Sequence, residues 1–104
     1  MKTETIIRSA YTEIASHLSV RYELRESDTD GRQAYSFAVS LAETKESAVV
    51  HDVTSDRDKA IFMFDMICRG SVTPCCLAEV TEDLIETADE LIREYGEHRQ
   101  PSLL

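Results

Sequence analysis

The sequence has no tryptophan, three glycines and two prolines in 104 residues. This composition leaves few obvious aromatic residues for binding and few linkers, and no internal repeat or low-complexity stretch is present. No apolar run reaches the roughly 18 residues that a transmembrane helix needs. The first residues lead into no long apolar stretch, so we expect no signal peptide and a cytoplasmic location.

Basic residues are also scarce. Lys and Arg total 11 against 20 Asp and Glu, which gives a net charge of −9. This charge repels phosphate backbones and anionic lipid, so it argues against nucleic acid and against membranes as partners. The chain is 42% hydrophobic, and its length predicts one globular domain that buries its own core.

Three cysteines are present, Cys68, Cys75 and Cys76. Their odd number and the lack of an export signal predict reduced thiols. They form no C-x-x-C motif, the adjacent pair is not expected to chelate one tetrahedral zinc ion easily by itself, and no histidine stands at ligand spacing from them, so we predict neither a metal site nor a cofactor. Core or loop packing is the favoured role, whereas Cys75 and Cys76, in the first turn of a predicted helix, are the candidates for a reactive thiol.

The first half of the chain has the alternation and β-branched content of strands. Val20, Tyr22 and Leu24 alternate with charged residues, and Asp30-Gly31 is a hairpin signal. We predict four strands, at about residues 3–14, 20–26, 34–41 and 48–53. Residues 3–18 also fit a helical stripe, so helix remains an alternative there, although the β-branched content favours a strand. The short connections predict an antiparallel meander.

Helical spacing begins after the fourth predicted strand. Ser55 precedes Asp58 by three residues, which resembles a capping box, and Asp56 and Asp58 would occupy the first turn. Apolar residues then recur at helical spacing over 60–68. Gly70 is expected to end this helix because glycine tolerates a positive φ.

A second helix has the strongest periodicity in the chain. Thr73 is its predicted N-cap and Pro74 its first residue. Apolar residues recur every three or four positions from Leu77 to Tyr95, and Gly96 is expected to end the helix.

The order of these elements predicts the fold class. Four strands followed by two helices indicate an α+β protein of two layers, with an antiparallel meander sheet covered on one face by the helices. We assign residues 1–96 to this single domain and residues 97–104 to a flexible C-terminal tail.

The chain resembles a family of short bacterial proteins known only as a domain of unknown function. The resemblance covers about residues 20–86 and depends on capping and core positions: the passage 49–57, Ser71–Pro74, Leu77, Val80, Glu82-Asp83-Leu84, Tyr22, Leu24 and Tyr35. It implies the same fold. It supplies no activity and no site residue.

His51, Asp52, Ser55 and Asp56 form the densest polar cluster. A nucleophilic site would use Ser55 with His51 as its base. Alternation along a strand would place His51 and Asp52 on opposite faces, and helix capping already explains Ser55 and Asp56. We therefore predict no catalytic residue.

The second helix is strongly acidic. A solvated face opposite a buried stripe is the ordinary interpretation of such a pattern. The functional interpretation is a docking face for a basic partner, formed by Glu82, Glu86 and Glu90.

Two functions remain open from the sequence. The first is a non-catalytic protein-interaction or regulatory module, which acts on another protein or on itself, with a homodimer through the open sheet face as one form. The alternative is a small-molecule-binding protein or enzyme with a pocket between sheet and helices, lined by Tyr22, Tyr35, Phe64 and the cysteines. The sequence names no small-molecule ligand.

Overall fold

Four strands and two helices make up the fold. The computed structural model describes the backbone of residues 2–102 and the side chains of residues 3–90 and 93. The strands form one antiparallel sheet in chain order, β1 (Lys2–Ala15), β2 (Leu18–Thr29), β3 (Arg32–Leu41) and β4 (Ser47–Thr54). Helix α1 spans Arg57–Arg69 and α2 spans Leu77–Ser102, after a single 3-10 turn over Pro74–Cys76. The predicted α+β meander is confirmed.

The segment that also fitted a helical stripe is a strand. β1 pairs with β2 along nearly its whole length, and the pairing places Ala10 beside Tyr22. The predicted hairpin turn is also confirmed. Asp30 and Gly31 form a two-residue connection with positive φ at both positions, 54° and 84°, as a type I′ turn requires.

The core lies between one sheet face and the two helices. Tyr22 and Leu24 of β2 are completely buried, and Phe37 of β3 stacks on Phe64 of α1 with 6.5 Å between ring centroids. Burial of a Leu or Phe side chain such as Leu24 or Phe37 stabilises the fold by about 1.5–3 kcal/mol. None of the helices in the described part of the chain is long and apolar enough to cross a membrane.

Helix α1 begins one residue later than predicted. Asp56, not Ser55, is the N-cap, and its carboxylate accepts a hydrogen bond of 3.2 Å from the Lys59 amide. The Thr54 hydroxyl accepts a bond from the Asp56 amide, which fixes the entry of the chain. The predicted capping box between Ser55 and Asp58 is therefore wrong, because the carboxylate at the next position accepts the cap hydrogen bond.

The end of α1 also differs from prediction. Gly70 has φ −81°, and the left-handed residue is Ser71, with φ 50°. The Ser71 amide donates to the Cys68 carbonyl and the Val72 amide to the Ile67 carbonyl. This is a Schellman motif, and its usual apolar contact is present because Ile67 and Val72 both belong to the core. The left-handed position is therefore Ser71, one residue after Gly70.

Helix α2 starts near the predicted residues and ends beyond the predicted one. Thr73 and Pro74 begin the 3-10 turn that leads into it, although Thr73 makes no side-chain cap bond. The helix continues through Gly96 to Ser102, so the predicted end at Gly96 is wrong. Residues 103 and 104 lie outside the described part, and the tail over 97–104 stays a prediction.

The left-handed serine gives a stability prediction. Ser71→Gly is expected to raise the free energy of unfolding by about 0.5–1 kcal/mol, because a left-handed residue with a Cβ costs about 1–2 kcal/mol and glycine's extra chain entropy offsets part of that gain. Urea denaturation followed by circular dichroism measures the change. Ser71→Ala, which keeps the Cβ, serves as the control and should give no gain. An equal gain in both variants would contradict the argument.

Candidate functional site

The three predicted docking residues share one face of α2. Glu82, Glu86 and Glu90 follow one another at intervals of four residues, so they form a stripe along the helix with about 6 Å of rise between neighbours. All three are exposed, and no described residue forms an ion pair with them. Asp89, in contrast, pairs with Lys59 of α1 at 3.3 Å. We call Glu82, Glu86, Glu90 and the intervening Ile85 the acidic face.

An apolar residue lies at one margin of this face. Ile85 is 41% exposed, whereas Thr81, Leu84 and Ala88 point into the core and are buried. The predicted amphipathic helix is thus present, but its apolar stripe extends beyond the part that packs against the core, which leaves Ile85 partly exposed. The acidic face therefore offers both charge and apolar area to a partner.

The opposite face of the sheet carries a groove that the sequence did not reveal. It measures about 380 Å³ and lies along β1 and β2, lined by Ile6, Ser9, Ala10, Tyr11, Arg21 and Glu23. Ile6 is 52% and Tyr11 60% exposed. Strand register creates the groove, since it pairs Tyr11 with Arg21 and Ser9 with Glu23. The alternation in β2, which places Arg21 and Glu23 on the face opposite the core, was the only feature of the sequence that pointed to this side of the sheet.

Charges beside this groove are mostly neutralised. The Arg25 guanidinium lies 2.6 Å from the Glu23 carboxylate and 3.6 Å from the Glu4 carboxylate. Arg21 forms no ion pair with a described residue. The open sheet face is therefore mixed in character, with exposed apolar side chains beside Arg21, which pairs with no described acid.

The polar cluster around His51 lies where β4 departs from regular strand pairing. β4 bulges here: three residues separate Val50 from Thr54, opposite a single residue of β3. Asp52 is left-handed, with φ 52°, and its amide donates to the Ser36 hydroxyl. The sequence predicted simple strand alternation at His51 and Asp52. The bulge interrupts the strand pairing there, so that assumption does not hold. No hydrogen bond joins His51 to Ser55 among the described residues, and both are exposed.

The aromatic residues expected around a pocket are buried instead. Tyr22, Tyr35 and Phe64 are at most 4% exposed and belong to the core. The Tyr35 hydroxyl donates to the Glu26 carboxylate at 2.7 Å, and the Arg57 guanidinium donates to the same oxygen at 3.3 Å. Burial, together with the neighbouring Glu26 carboxylate, raises the pKa of Tyr35. The Glu26 carboxylate thus links Tyr35 of β3 to Arg57 of α1, and all three aromatic side chains pack in the core.

The cysteines occupy different environments. Burial raises the pKa of the half-buried Cys68 thiol to about 11. Cys75 and Cys76 are exposed, with 3.8 Å between their sulfur atoms, and the Thr73 hydroxyl lies 3.3 Å from Cys75 Sγ. Hydrogen bonding from Thr73 and Cys76 lowers the pKa of Cys75. Within the described part of the chain, no group of three or more His, Cys, Asp or Glu side chains is placed to hold a metal ion.

These environments predict an order of thiol reactivity. Cys75 should be alkylated by iodoacetamide much faster than Cys68 at neutral pH, because each pKa unit changes the thiolate fraction about tenfold. Thr73→Val should slow alkylation of Cys75 and shift its rate profile to higher pH, since the thiolate loses a donor. Peptide-level mass spectrometry at several pH values measures both rates. Equal rates at Cys75 and Cys68, or an unchanged profile in Thr73→Val, would contradict the assignment.

Comparison with known proteins places the chain in a family. No curated protein and no solved structure is significantly similar to it. A family of unknown function (DUF6514) matches residues 1–87, which include the whole sheet, α1 and the first turns of α2. The match also covers β1, which precedes the region of resemblance seen in the sequence, and it includes Glu82 and Glu86. The chain therefore belongs to this family of unknown function.

Proposed function

We propose that the protein is a non-catalytic protein-interaction module, whose acidic face binds a basic segment of a partner protein. The observation that carries this proposal is the exposed row of Glu82, Glu86 and Glu90, which lacks ion-pair partners among the described residues. A cytoplasmic site of action remains part of the proposal.

Electrostatics favours an external cation at this row. Like charges four residues apart on a helix destabilise it by about 0.2–0.5 kcal/mol per pair. A partner's Lys or Arg side chains relieve this repulsion, and the protein's net charge of −9 attracts a basic partner over a longer range. Ile85 supplies an apolar contact beside the charges. The partner that fits is an amphipathic segment with basic residues around an apolar one.

Burial in the core argues against the small-molecule alternative. A ligand between sheet and helices would have to reach Tyr22, Tyr35 and Phe64, but these side chains are packed inside the core. Opening the core for a ligand would break the apolar contacts between α1 and the sheet and so destabilise the fold.

Self-association through the open sheet face is a second candidate. Ile6 and Tyr11 are large side chains that remain more than half exposed, beside a groove of about 380 Å³. They lie on β1, a strand of 14 residues at the edge of the sheet, whose outer side pairs with no other strand of the described chain. A second copy covering this region buries the apolar side chains of both.

Charge reversal tests the acidic face. The triple variant Glu82→Lys, Glu86→Lys and Glu90→Lys should bind a labelled Lys- and Leu-containing helical peptide at least about tenfold more weakly than the native protein, the equivalent of about 1.4 kcal/mol. Fluorescence anisotropy at two salt concentrations measures the affinity, which should fall as salt rises.

A matched variant controls for net charge. Glu13→Lys, Glu46→Lys and Asp65→Lys reverse three exposed acids outside the acidic face and change the total charge equally. This variant should bind the peptide nearly as well as the native protein. Equal loss in both variants would reduce the effect to overall charge, and unchanged binding in both would remove the acidic face from the proposal.

Sedimentation velocity tests self-association. The native protein should form a dimer as its concentration rises in sedimentation velocity, and Ile6→Lys with Tyr11→Lys should shift it to the monomer, because two new charges would be buried at the interface. Ile85→Lys, at an exposed apolar site on α2 away from this region, is the control and should leave the dimer intact. A native protein that stays monomeric throughout would end this candidate.

A further inference from the structure

Two adjacent thiols project from a fixed turn. Cys75 and Cys76 lie in the 3-10 turn Pro74–Cys76, which is held in place by the buried Pro74 before them and the buried Leu77 after them. Both cysteines are exposed, and their sulfur atoms are 3.8 Å apart. The backbone of this turn thus presents two sulfur ligands side by side toward solvent.

The separation of the sulfur atoms matches the geometry of a thiolate-bound metal. Zinc binds cysteine sulfur at about 2.3 Å with tetrahedral angles, so two thiolates on one zinc ion lie roughly 3.8 Å apart. The two thiols therefore need little side-chain rearrangement to bind the same ion. The Thr73 hydroxyl, 3.3 Å from Cys75 Sγ, can donate to that sulfur and hold its orientation.

We propose that Cys75 and Cys76 form a bidentate thiolate site for a thiophilic divalent cation such as Zn²⁺ or Cd²⁺. Binding forms two metal–sulfur bonds and releases one proton from each thiol, with no change of oxidation state. The ion's positive charge replaces these two protons.

The surroundings favour a cation and leave coordination positions open. The negative charge of Glu46 acts on Cys75, and the protein as a whole carries a charge of −9. Since no third His, Cys, Asp or Glu of the described chain joins the two sulfurs in a metal-binding group, the remaining positions face solvent. Water completes the coordination in an isolated chain, and the same two cysteines of a second copy would complete it in a metal-bridged pair.

Cadmium titration of the reduced protein tests this site. Cd²⁺ replaces Zn²⁺ on thiolates and gives a sulfur-to-metal charge-transfer band in the ultraviolet, which carboxylate binding does not produce. The native protein should show this band, with about two protons released per ion in a parallel pH measurement. Excess Mg²⁺ in all samples occupies carboxylates, which are hard ligands. Native mass spectrometry then counts ions and chains.

Single-cysteine variants locate the ligands. Cys75→Ser and Cys76→Ser should each weaken Cd²⁺ binding by more than the roughly 10- to 100-fold loss that follows removal of an outer-shell partner. Both residues are exposed, so these variants should keep the native circular dichroism spectrum. Cys68→Ser removes a thiol outside the pair and should leave the band and the affinity unchanged.

Stoichiometry distinguishes how coordination is completed. One ion per chain supports the site with water in the open positions, and one ion per two chains supports it with a second copy. Absence of the charge-transfer band in the native protein would overturn the proposal. So would an equal band in the native protein and in Cys75→Ser or Cys76→Ser.

Discussion

Burial of one face of β2 and β3 is the constraint on which the rest of the structure depends. The two central strands pair so that Tyr22 lies beside Val39 and Leu24 beside Phe37, all of them at most 1% exposed. A slip of one residue would turn this whole set to the opposite side of the sheet. The helices must therefore cross that face, and the chain must reverse sharply after α1. Ser71 adopts a left-handed conformation at this reversal because the Schellman turn returns Val72 to the core beside Ile67.

Polar interactions hold the two ends of the central strands. At one end, Glu26 accepts hydrogen bonds from Tyr35 of β3 and from Arg57 of α1, so a single carboxylate joins two strands and the first turn of the helix. At the other end, the Glu43 carboxylate accepts from both the amide and the hydroxyl of Ser19. The hydrogen bond from the Ser19 backbone is the main cause of the lowered pKa of Glu43. The apolar face selects the register, and these carboxylates fix the connections at each end.

Sequence periodicity was sufficient where a pattern extends over many residues. The alternation in β2, the Asp30-Gly31 turn and the stripe of α2 each follow from repeated or strongly typed positions. Prediction failed where neighbouring residues compete for one role. Asp56 takes the cap from Ser55, and Ser71 rather than Gly70 becomes left-handed, because tertiary packing sets the turn.

The candidate sites divide in the same way. The exposure of Glu82, Glu86 and Glu90 follows from helical spacing, and the sequence predicted it. The sulfur separation in Cys75-Cys76 depends on the torsion angles of one short turn, and the groove depends on the register between β1 and β2. Residue spacing along the sequence determines neither the sulfur separation nor the shape of the groove, so neither could be predicted from the sequence.

Among the described residues, the ion-paired basic side chains bind acids outside the acidic face. Arg25 and Arg57 pair with acids of the sheet, and Lys59 pairs with Asp89 at the contact between the helices. These three cations serve the fold itself, whereas Glu82, Glu86 and Glu90 have no ion-pair partner among the described residues. The family match over residues 1–87 includes Glu82 and Glu86 of this face. Glu90 then extends the same face by one turn in this chain.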